Sequence, residues 1–229
     1  MMRPVIVMTQ TSEFKRNDAC IIHRPFIRVE ALSFDLNLLN VNYDWLIFSS
    51  KNAVKFFQPY LKHVNVGKIA VIGEKTANYC KSLGLEVSFC PKDYSQEGFL
   101  ESFCAEEGSR ILLPSSNAAR SLLQDELYNQ NYIVQKIDLY KPVPHTDNIN
   151  DVKMMIKKGE IDAVAFASSS AVRYYFNHEM TVNFDHYFVI GLQTLETLHQ
   201  YHAKGTVSEI QTLESLVSKI IESWETNAI

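Results

Sequence analysis

Cysteine is scarce and scattered in this chain of 229 residues: Cys20, Cys80, Cys90 and Cys104 form no C-x-x-C pair and have no histidine cluster beside them. That excludes a zinc site and a thioredoxin-like motif, and the four thiols are expected to be reduced and mostly buried. The seven histidines lack metal-ligand spacing, and His199 and His202 read as surface residues of one helix. Glycine is sparse as well, at eight residues, and no G-x-G-x-x-G follows any strand. Gly73-Glu74-Lys75-Thr76 lacks the upstream glycine of a Walker A loop, so no nucleotide-phosphate cradle is indicated. No G-x-S-x-G elbow occurs, and Ser168-Ser169-Ser170 has no evident His and Asp partners, which argues against nucleophilic catalysis. There is no excess of positive charge: the net charge is -4, the pI is near 6.0 and no basic run occurs. Nucleic acid and anionic membrane are therefore not expected partners, and an anionic ligand needs a local site. Long apolar runs are missing too. Val5-Ile6-Val7-Met8 is too brief for a signal h-region and no segment approaches a membrane span, so a soluble, cytoplasmic protein is expected.

What is present is a repeat. Asp44-Trp45-Leu46-Ile47-Phe48-Ser49-Ser50-Lys51-Asn52-Ala53-Val54-Lys55-Phe56-Phe57 returns 118 positions later as Asp162-Ala163-Val164-Ala165-Phe166-Ala167-Ser168-Ser169-Ser170-Ala171-Val172-Arg173-Tyr174-Tyr175. At the same offset Val71-Ile72-Gly73-Glu74-Lys75-Thr76 is answered by Val189-Ile190-Gly191-Leu192-Gln193-Thr194. The length allows two domains of about 100 residues.

Short apolar runs alternate with helical spacing along the chain. Strands are expected at Val5–Met8, Phe26–Leu32, Trp45–Phe48, Lys68–Ile72, Glu86–Cys90, Ile111–Leu113, Ile133–Tyr140, Ala163–Phe166 and Tyr187–Ile190. Helices are expected from Ser12 to Cys20, from Ser50 until Pro59 interrupts, and from Glu74 to Leu83 before Gly84. Further helices are expected over Gln96–Glu106, from a cap at Pro114–Asn117 to about Asn129, near Asn150–Lys158, from Ser169, over Gly191–His202, and last behind a Thr212 cap. Lys141-Pro142-Val143-Pro144-His145 is the best linker candidate. The class is α/β, with parallel sheets wrapped by helices and right-handed crossovers.

In such sheets ligands sit outside the carboxyl ends of strands, and both repeats place Ser, Gly and Thr there. Ser50, Lys51, Asn52, Gly73, Lys75 and Thr76 in one copy, and Ser168, Ser169, Ser170, Gly191, Gln193 and Thr194 in the other, lie at strand-to-helix turns. Free backbone N–H groups and the helix dipole favour carboxylate or phosphate at such turns, by about 0.3 to 1 kcal/mol each. Helix capping alone would also account for Ser50, Ser168, Thr76 and Thr194, but caps can be met by any of several residue types, and here the type recurs. Lys51, Lys75, Arg120 and Lys141, at turns, are available to acidic groups. Tyr140 stands at the end of its extended segment.

These residues resemble the uroporphyrinogen-III synthase family. The resemblance rests on D-x-x-x-F-[ST]-S-x-x-A-V at Asp44–Val54, I-G-x-x-T at Ile72–Thr76, Ile111-Leu112-Leu113 with Leu127, the Tyr140 segment, and the second copies at Asp162 and Ile190. It implies two flavodoxin-like α/β domains joined by a two-stranded linker, with a cleft between them. One domain is discontinuous (1–33 and 146–229), the other is inserted (40–136), and the linkers are near 28–36 and 137–145. It further implies a cofactor-free and metal-free hydro-lyase of haem and porphyrin biosynthesis, a monomer in transient contact with the preceding deaminase. Such an enzyme cyclises linear hydroxymethylbilane with loss of water and inversion of the last pyrrole ring. Tyr140 matches the family's linker tyrosine and is the candidate acid for departure of the hydroxyl; the turn residues above would hold carboxylates. Two departures stand out: Thr9 and Gln10 replace an arginine usual after the first strand, and Asn131 or Tyr132 a glycine usual after the helix ending near Asn129. The alternatives are a two-domain small-molecule binding protein that closes without chemistry, and a nucleotide-sugar transferase. The expected lack of an export signal sets against the first; the missing glycine loops and short length set against the second.

Overall fold

The computed structural model describes residues 3–226; the outermost residues of the expected discontinuous domain, 1–2 and 227–229, lie outside them. The chain divides into two compact units: residues up to Arg28 together with those from Val143 onward, and Val29–Pro142. Each is an α/β layer structure.

In the first unit, strands β1 (Val5–Met8), β2 (Cys20–His23), β8 (Ala163–Phe166), β9 (Tyr187–Val189) and β10 (Thr206–Val207) form a sheet in the order β10-β9-β8-β1-β2. All four neighbouring pairs are parallel. β1 and β8 are apolar at every position because both faces are covered. Ile6, Met8, Ala163 and Ala165 pack beneath helix α8 (Leu213–Glu225). Val7, Val164 and Phe166 face the opposite way, toward α5 (Thr146–Lys157), α6 (Ser169–Phe176) and α7 (Leu192–His199). This is the strand type found where helices flank a parallel sheet on both sides.

The sheet of the second unit is formed by β3 (Ile27–Ala31), β4 (Asn42–Phe48), β5 (Asn65–Val71), β6 (Arg110–Ser116) and β7 (Ile133–Pro144) in the order β3-β7-β6-β4-β5, with β3 and β7 running across the unit boundaries at Arg28 and Pro142. The pairs β4–β5, β4–β6 and β6–β7 are parallel. Leu46, Phe48, Val71 and Leu112 face α1 (Lys51–Phe57) and α2 (Glu74–Ser82), while Trp45, Ile47, Ala70 and Ile111 face α3 (Gln96–Ser102) and α4 (Leu122–Asn129). The parallel α/β class read from the sequence therefore holds. The stretch Lys141–Pro144, read as a linker, is the end of β7.

The repeated aspartates do one structural task. Asp162 accepts a hydrogen bond from the Val5 N–H at 2.7 Å and Asp44 from the Arg110 N–H at 2.8 Å, each satisfying the first amide of the strand beside its own. Asp162 immediately precedes β8 and Asp44 is the third residue of β4, so both stand toward the amino ends, away from the serine turns.

Several elements differ from the sequence reading. Residues 12–19 form no helix: Arg16 pairs with Asp18 and reaches Glu214 O at 3.1 Å and Ser218 Oγ at 2.7 Å, and Cys20–His23 is strand. The apolar residues of the segment, Phe14 and Ala19, both pack into the core with α8 but stand five positions apart and so share no helical face, whereas Ile21 and Ile22 find a ladder on β1. Glu86–Cys90 is not a full strand; only Phe89 bridges Ala70, at the sheet edge just before Pro91. Pro114–Ser116 belongs to β6 rather than to a cap, and α4 starts at Leu122. A proline is tolerated there because the ladder of β6 with β4 has ended at Leu112. α3 stops at Ser102, so Cys104 is exposed, and Cys20 is exposed as well. The expectation of mostly buried thiols is thus met by Cys80 but not by these two; all four cysteines are free.

Asn131 has φ +64° at the end of α4, and the Asn131 N–H to Tyr128 O (3.0 Å) and Tyr132 N–H to Leu127 O (3.2 Å) bonds close a Schellman motif. The left-handed position explains why a glycine is usual there and why asparagine can serve. Asn131→Ala is expected to lower stability by about 1 kcal/mol while Asn131→Gly does not. Urea midpoints of the two variants check this, and equal losses would contradict it.

Candidate functional site

The serine turns of the two copies share one geometry. Ser50, with φ -159° and ψ 160°, accepts a hydrogen bond from the Ala53 N–H at 3.1 Å; Ser168, with φ -160° and ψ 150°, accepts one from Ala171 N–H at 3.3 Å. Each is the N-cap of the helix that follows the repeat strand. Gly73 and Gly191 hold the N-cap positions of α2 and α7 in extended backbone, and no side chain caps these helices. Thr76 and Thr194, three residues on, are buried in the first turn, so they pack rather than cap.

In the second unit the serine turn meets Tyr140. Ser50 Oγ and Tyr140 Oη are 2.9 Å apart, and the Tyr140 ring stacks on Phe56 at 5.1 Å and 18°. The contact depends on an irregularity in β7: Ser115 pairs with Asp138 but Ser116 pairs with Tyr140, so Leu139 is an extra residue. A bulge shifts the alternation of side chains by one. Ile137, Leu139 and Tyr140 consequently all face the same core, where strict alternation would have sent Tyr140 to the other face. The Asn117 N–H donates to Tyr140 O at 2.9 Å and anchors the strand there.

Tyr140 is only 6% exposed, and burial raises its pKa while the Ser50 hydrogen bond lowers it. Its phenol is therefore protonated at neutral pH. With Ser50 Oγ already accepting from Ala53, its own hydroxyl is free to donate to Tyr140 Oη. In that arrangement the phenolic proton has no acceptor among the described residues, and the Ser50 hydroxyl supports the phenolate if the proton departs.

The remaining sequence candidates in this unit are dispersed. Lys51 lies over the Tyr79 ring at 4.8 Å, Asn52 and Lys75 are exposed, and none of Gly73, Lys75 or Thr76 is hydrogen-bonded to the Ser50–Tyr140 pair among the described residues. Arg120 is committed to Glu97 at 2.9 Å and Lys141 lies 4.0 Å from Glu30.

In the first unit the structure brings all six candidates around one cavity of about 450 Å³: Ser168, Ser169, Ser170, Gly191, Gln193 and Thr194. Ser169 Oγ donates to Gln193 O at 3.2 Å and ties the two turns together. Arg173 and Gln211 line the same cavity and were not among the sequence candidates. A signal existed for Arg173, which answers Lys55 in the repeat. None existed for Gln211, which lies outside it. At the end of β1, where an arginine was missing, Thr9 Oγ1 donates to Ala165 O at 2.8 Å and stitches β1 to β8. Arg24, at the end of β2, lies 3.6 Å from Asp151.

Among the described residues no group of three or more His, Cys, Asp or Glu could hold a metal ion, and no helix is long and apolar enough to cross a membrane. Amides and hydroxyls at such turns are groups suited to anions, and in one unit a protonated phenol is hydrogen-bonded to the turn serine.

A family model described as uroporphyrinogen-III synthase HemD matches residues 10–218. The chain is 25% identical over 191 residues to the porphyrin biosynthesis protein HemD of Ruminiclostridium josui, covering 79% of this chain and 38% of that protein. It is 27% identical over 140 residues to uroporphyrinogen-III synthase of Synechococcus elongatus, covering 58% of this chain and 53% of that protein. The chain thus spans about half or less of the length of these two curated relatives. Among solved structures, uroporphyrinogen-III synthetase of Helicobacter pylori superposes with a TM-score of 0.66 at 17% identity, covering 96% of this chain and 99% of that one; this likeness is one of fold.

Proposed function

The chain belongs to the uroporphyrinogen-III synthase family, and from that premise we propose that it cyclises hydroxymethylbilane to uroporphyrinogen III, a hydro-lyase reaction that expels water and inverts the last pyrrole ring. The substrate is a flexible chain of pyrroles carrying many carboxylates. On this reading Ser50, Lys51, Asn52, Gly73, Lys75 and Thr76, and in the other unit Ser168, Ser169, Ser170, Gly191, Gln193 and Thr194, present amides, hydroxyls and cations to those carboxylates. Holding the chain folded lets the substituted carbon of the last ring attack, and such positioning can supply much of the rate.

The observation that carries the chemistry is the Tyr140 phenol, protonated, buried and 2.9 Å from Ser50 Oγ. Tyr140 Oη gives its proton to the departing hydroxymethyl oxygen, which leaves as water, and the electron pair of the pyrrole fills the gap as an azafulvene cation. The substituted carbon bonds to that cation to give a spiro intermediate, and its bond to the original bridging methylene breaks to leave a second azafulvene cation. The unsubstituted carbon of the turned ring closes on that methylene, losing its proton to the Tyr140 phenolate as aromaticity returns. No net proton is consumed. Ser50 supports the transient phenolate by donating to it, and the Ala53 N–H holds Ser50 in place. We place the reaction in the cytoplasm, in a monomer that meets the preceding deaminase only transiently.

The test is to incubate the protein with freshly made hydroxymethylbilane and resolve the oxidised porphyrin isomers. Type III is expected in excess. Type I alone, the product of uncatalysed closure, would exclude synthase activity.

A further inference from the structure

The cavity between the serine turn and the glycine turn of the first unit has a charge pattern unlike the rest of the molecule. The chain as a whole carries a net charge of -4, yet of all the residues lining this cavity only Arg173 is charged. Arg173 is exposed, and no carboxylate of the described residues pairs with it. Arg24 and Arg120, which follow the carboxyl ends of β2 and β6, are by contrast paired with Asp151 and Glu97. A guanidinium left without a carboxylate in a concave polar site has five N–H donors to offer.

Its direction follows from the helix. Ala171, Val172 and Tyr175 form the buried face of α6, which leaves Ser170 and Arg173, three residues apart, on the open side. Helical side chains lean toward the amino end, so Arg173 extends back over the Ser169–Ser170 turn rather than away from it. Across the cavity Gln193 and Gln211 are exposed, and their carboxamides make no hydrogen bond among the described residues. Gln211 comes close because Gly191 has no side chain: a Cβ there would lie 2.8 Å from Gln211 Cδ.

We propose that Arg173 is the carboxylate-pairing residue of this site, gripping one acidic side chain of the tetrapyrrole in a two-pronged ion pair, with the Gln193 and Gln211 amides beside it. Arg173 then supplies on α6 the positive group that the turn at Thr9 and Gln10 lacks. The assignment rests on the synthase reading and deepens it. It also distinguishes the two repeats: the equivalent Lys55 carries a compact ammonium that cannot pair in the planar two-pronged fashion. Arg173 binds and orients; the proton transfer is left to Tyr140.

Steady-state kinetics with enzymatically generated hydroxymethylbilane test the assignment. A charge-assisted pair is worth about 1.5–3 kcal/mol, so Arg173→Gln is expected to raise KM about 10-fold or more, with most of the loss in kcat/KM carried by KM. Arg173→Lys should recover part of it, and the type III isomer should persist in both variants. A binding titration with uroporphyrin III, the stable oxidised product, should show the same weakening without turnover, and the gap between wild type and Arg173→Gln should narrow as salt rises. Unchanged KM and unchanged porphyrin affinity in Arg173→Gln, with type III still formed, would overturn the role of Arg173 and leave the synthase reading standing. Type I alone from the wild-type protein would instead overturn the synthase reading, and this assignment with it.

Discussion

Tyr140→Phe is expected to lower kcat for uroporphyrinogen III formation by about 10²-fold or more, the usual contribution of a positioned general acid. The variant keeps the ring, its stacking on Phe56 and its place in the core, and loses only the hydroxyl and the 2.9 Å bond to Ser50. That bond is worth about 1 kcal/mol of stability, and Ser50 retains the Ala53 N–H, so folding is expected to persist. Because hydroxymethylbilane closes by itself to the type I isomer, a slowed enzyme also shifts the product ratio toward type I. The pH profile is the sharper readout. Burial holds the Tyr140 pKa above its ordinary value of 10.0, so the acid form is complete through neutral pH and any decline due to its loss falls above about pH 10. Full turnover in Tyr140→Phe with an unchanged pH profile would remove Tyr140 from the chemistry. Ser50→Ala provides the complementary result: a smaller loss of rate, since the phenol remains but its phenolate loses a donor, together with about 1 kcal/mol of stability from the lost N-cap.

The largest expected effect on stability is at Lys153. This side chain is 3% exposed within the core of the first unit, donates to Tyr175 O at 2.8 Å and Met180 O at 2.5 Å, and stands 4.4 Å from the Tyr175 ring centroid. Tyr175 O belongs to the last turn of α6, where a cation offsets the helix dipole, and Met180 O lies in the irregular stretch that follows. One ammonium therefore fastens that stretch to the helix end. Lys153→Met leaves two carbonyls without their donor, at about 1–3 kcal/mol each, against which the relief of burying a charge is set. A net loss of about 2 kcal/mol is expected in denaturant titrations.

The sign of its pH dependence follows from the pKa. Desolvation lowers Lys153 from 10.5 to about 8, so between those values the unfolded chain holds a proton that the folded protein has released. Stability contributed by this group is thus lowest below pH 8 and rises toward pH 10.5, by at most about 3 kcal/mol. Cys80 acts in the opposite sense: its thiol is pushed up from 9.0 to about 11 by burial, so its contribution falls as pH passes 9. The difference between wild type and Lys153→Met removes that common term. The wild-type advantage is expected to widen as pH rises above 8; a constant difference would show that Lys153 titrates alike in both states.

Much of the fold was legible because burial on both faces leaves a direct mark. Val5–Met8, Trp45–Phe48 and Ala163–Phe166 are apolar without interruption, and each is a strand with helices on either side. Ser50, Ser168 and Thr212 were legible as caps for an equally local reason, a side-chain oxygen three residues ahead of the amide it receives. Where the reading went astray the deciding partner was remote. Residues 12–19 are held by α8 through Arg16, nearly two hundred positions away. Pro114, read as a helix start, sits in a strand because a neighbouring ladder has already ended. Cys104 was assigned to a helical face that stops two residues before it.

By itself the sequence determined the class, the two serine turns, the two glycine turns and their family, since these depend on periodicity and on residues close together along the chain. Only the tertiary structure decided that Tyr140 meets Ser50, because this requires one extra residue in the β7 ladder, and register leaves no trace in a list of apolar positions. It alone brought Gln211 to the cavity that Arg173 lines, 38 positions away, because two segments that share no pattern converge at the edge of one sheet.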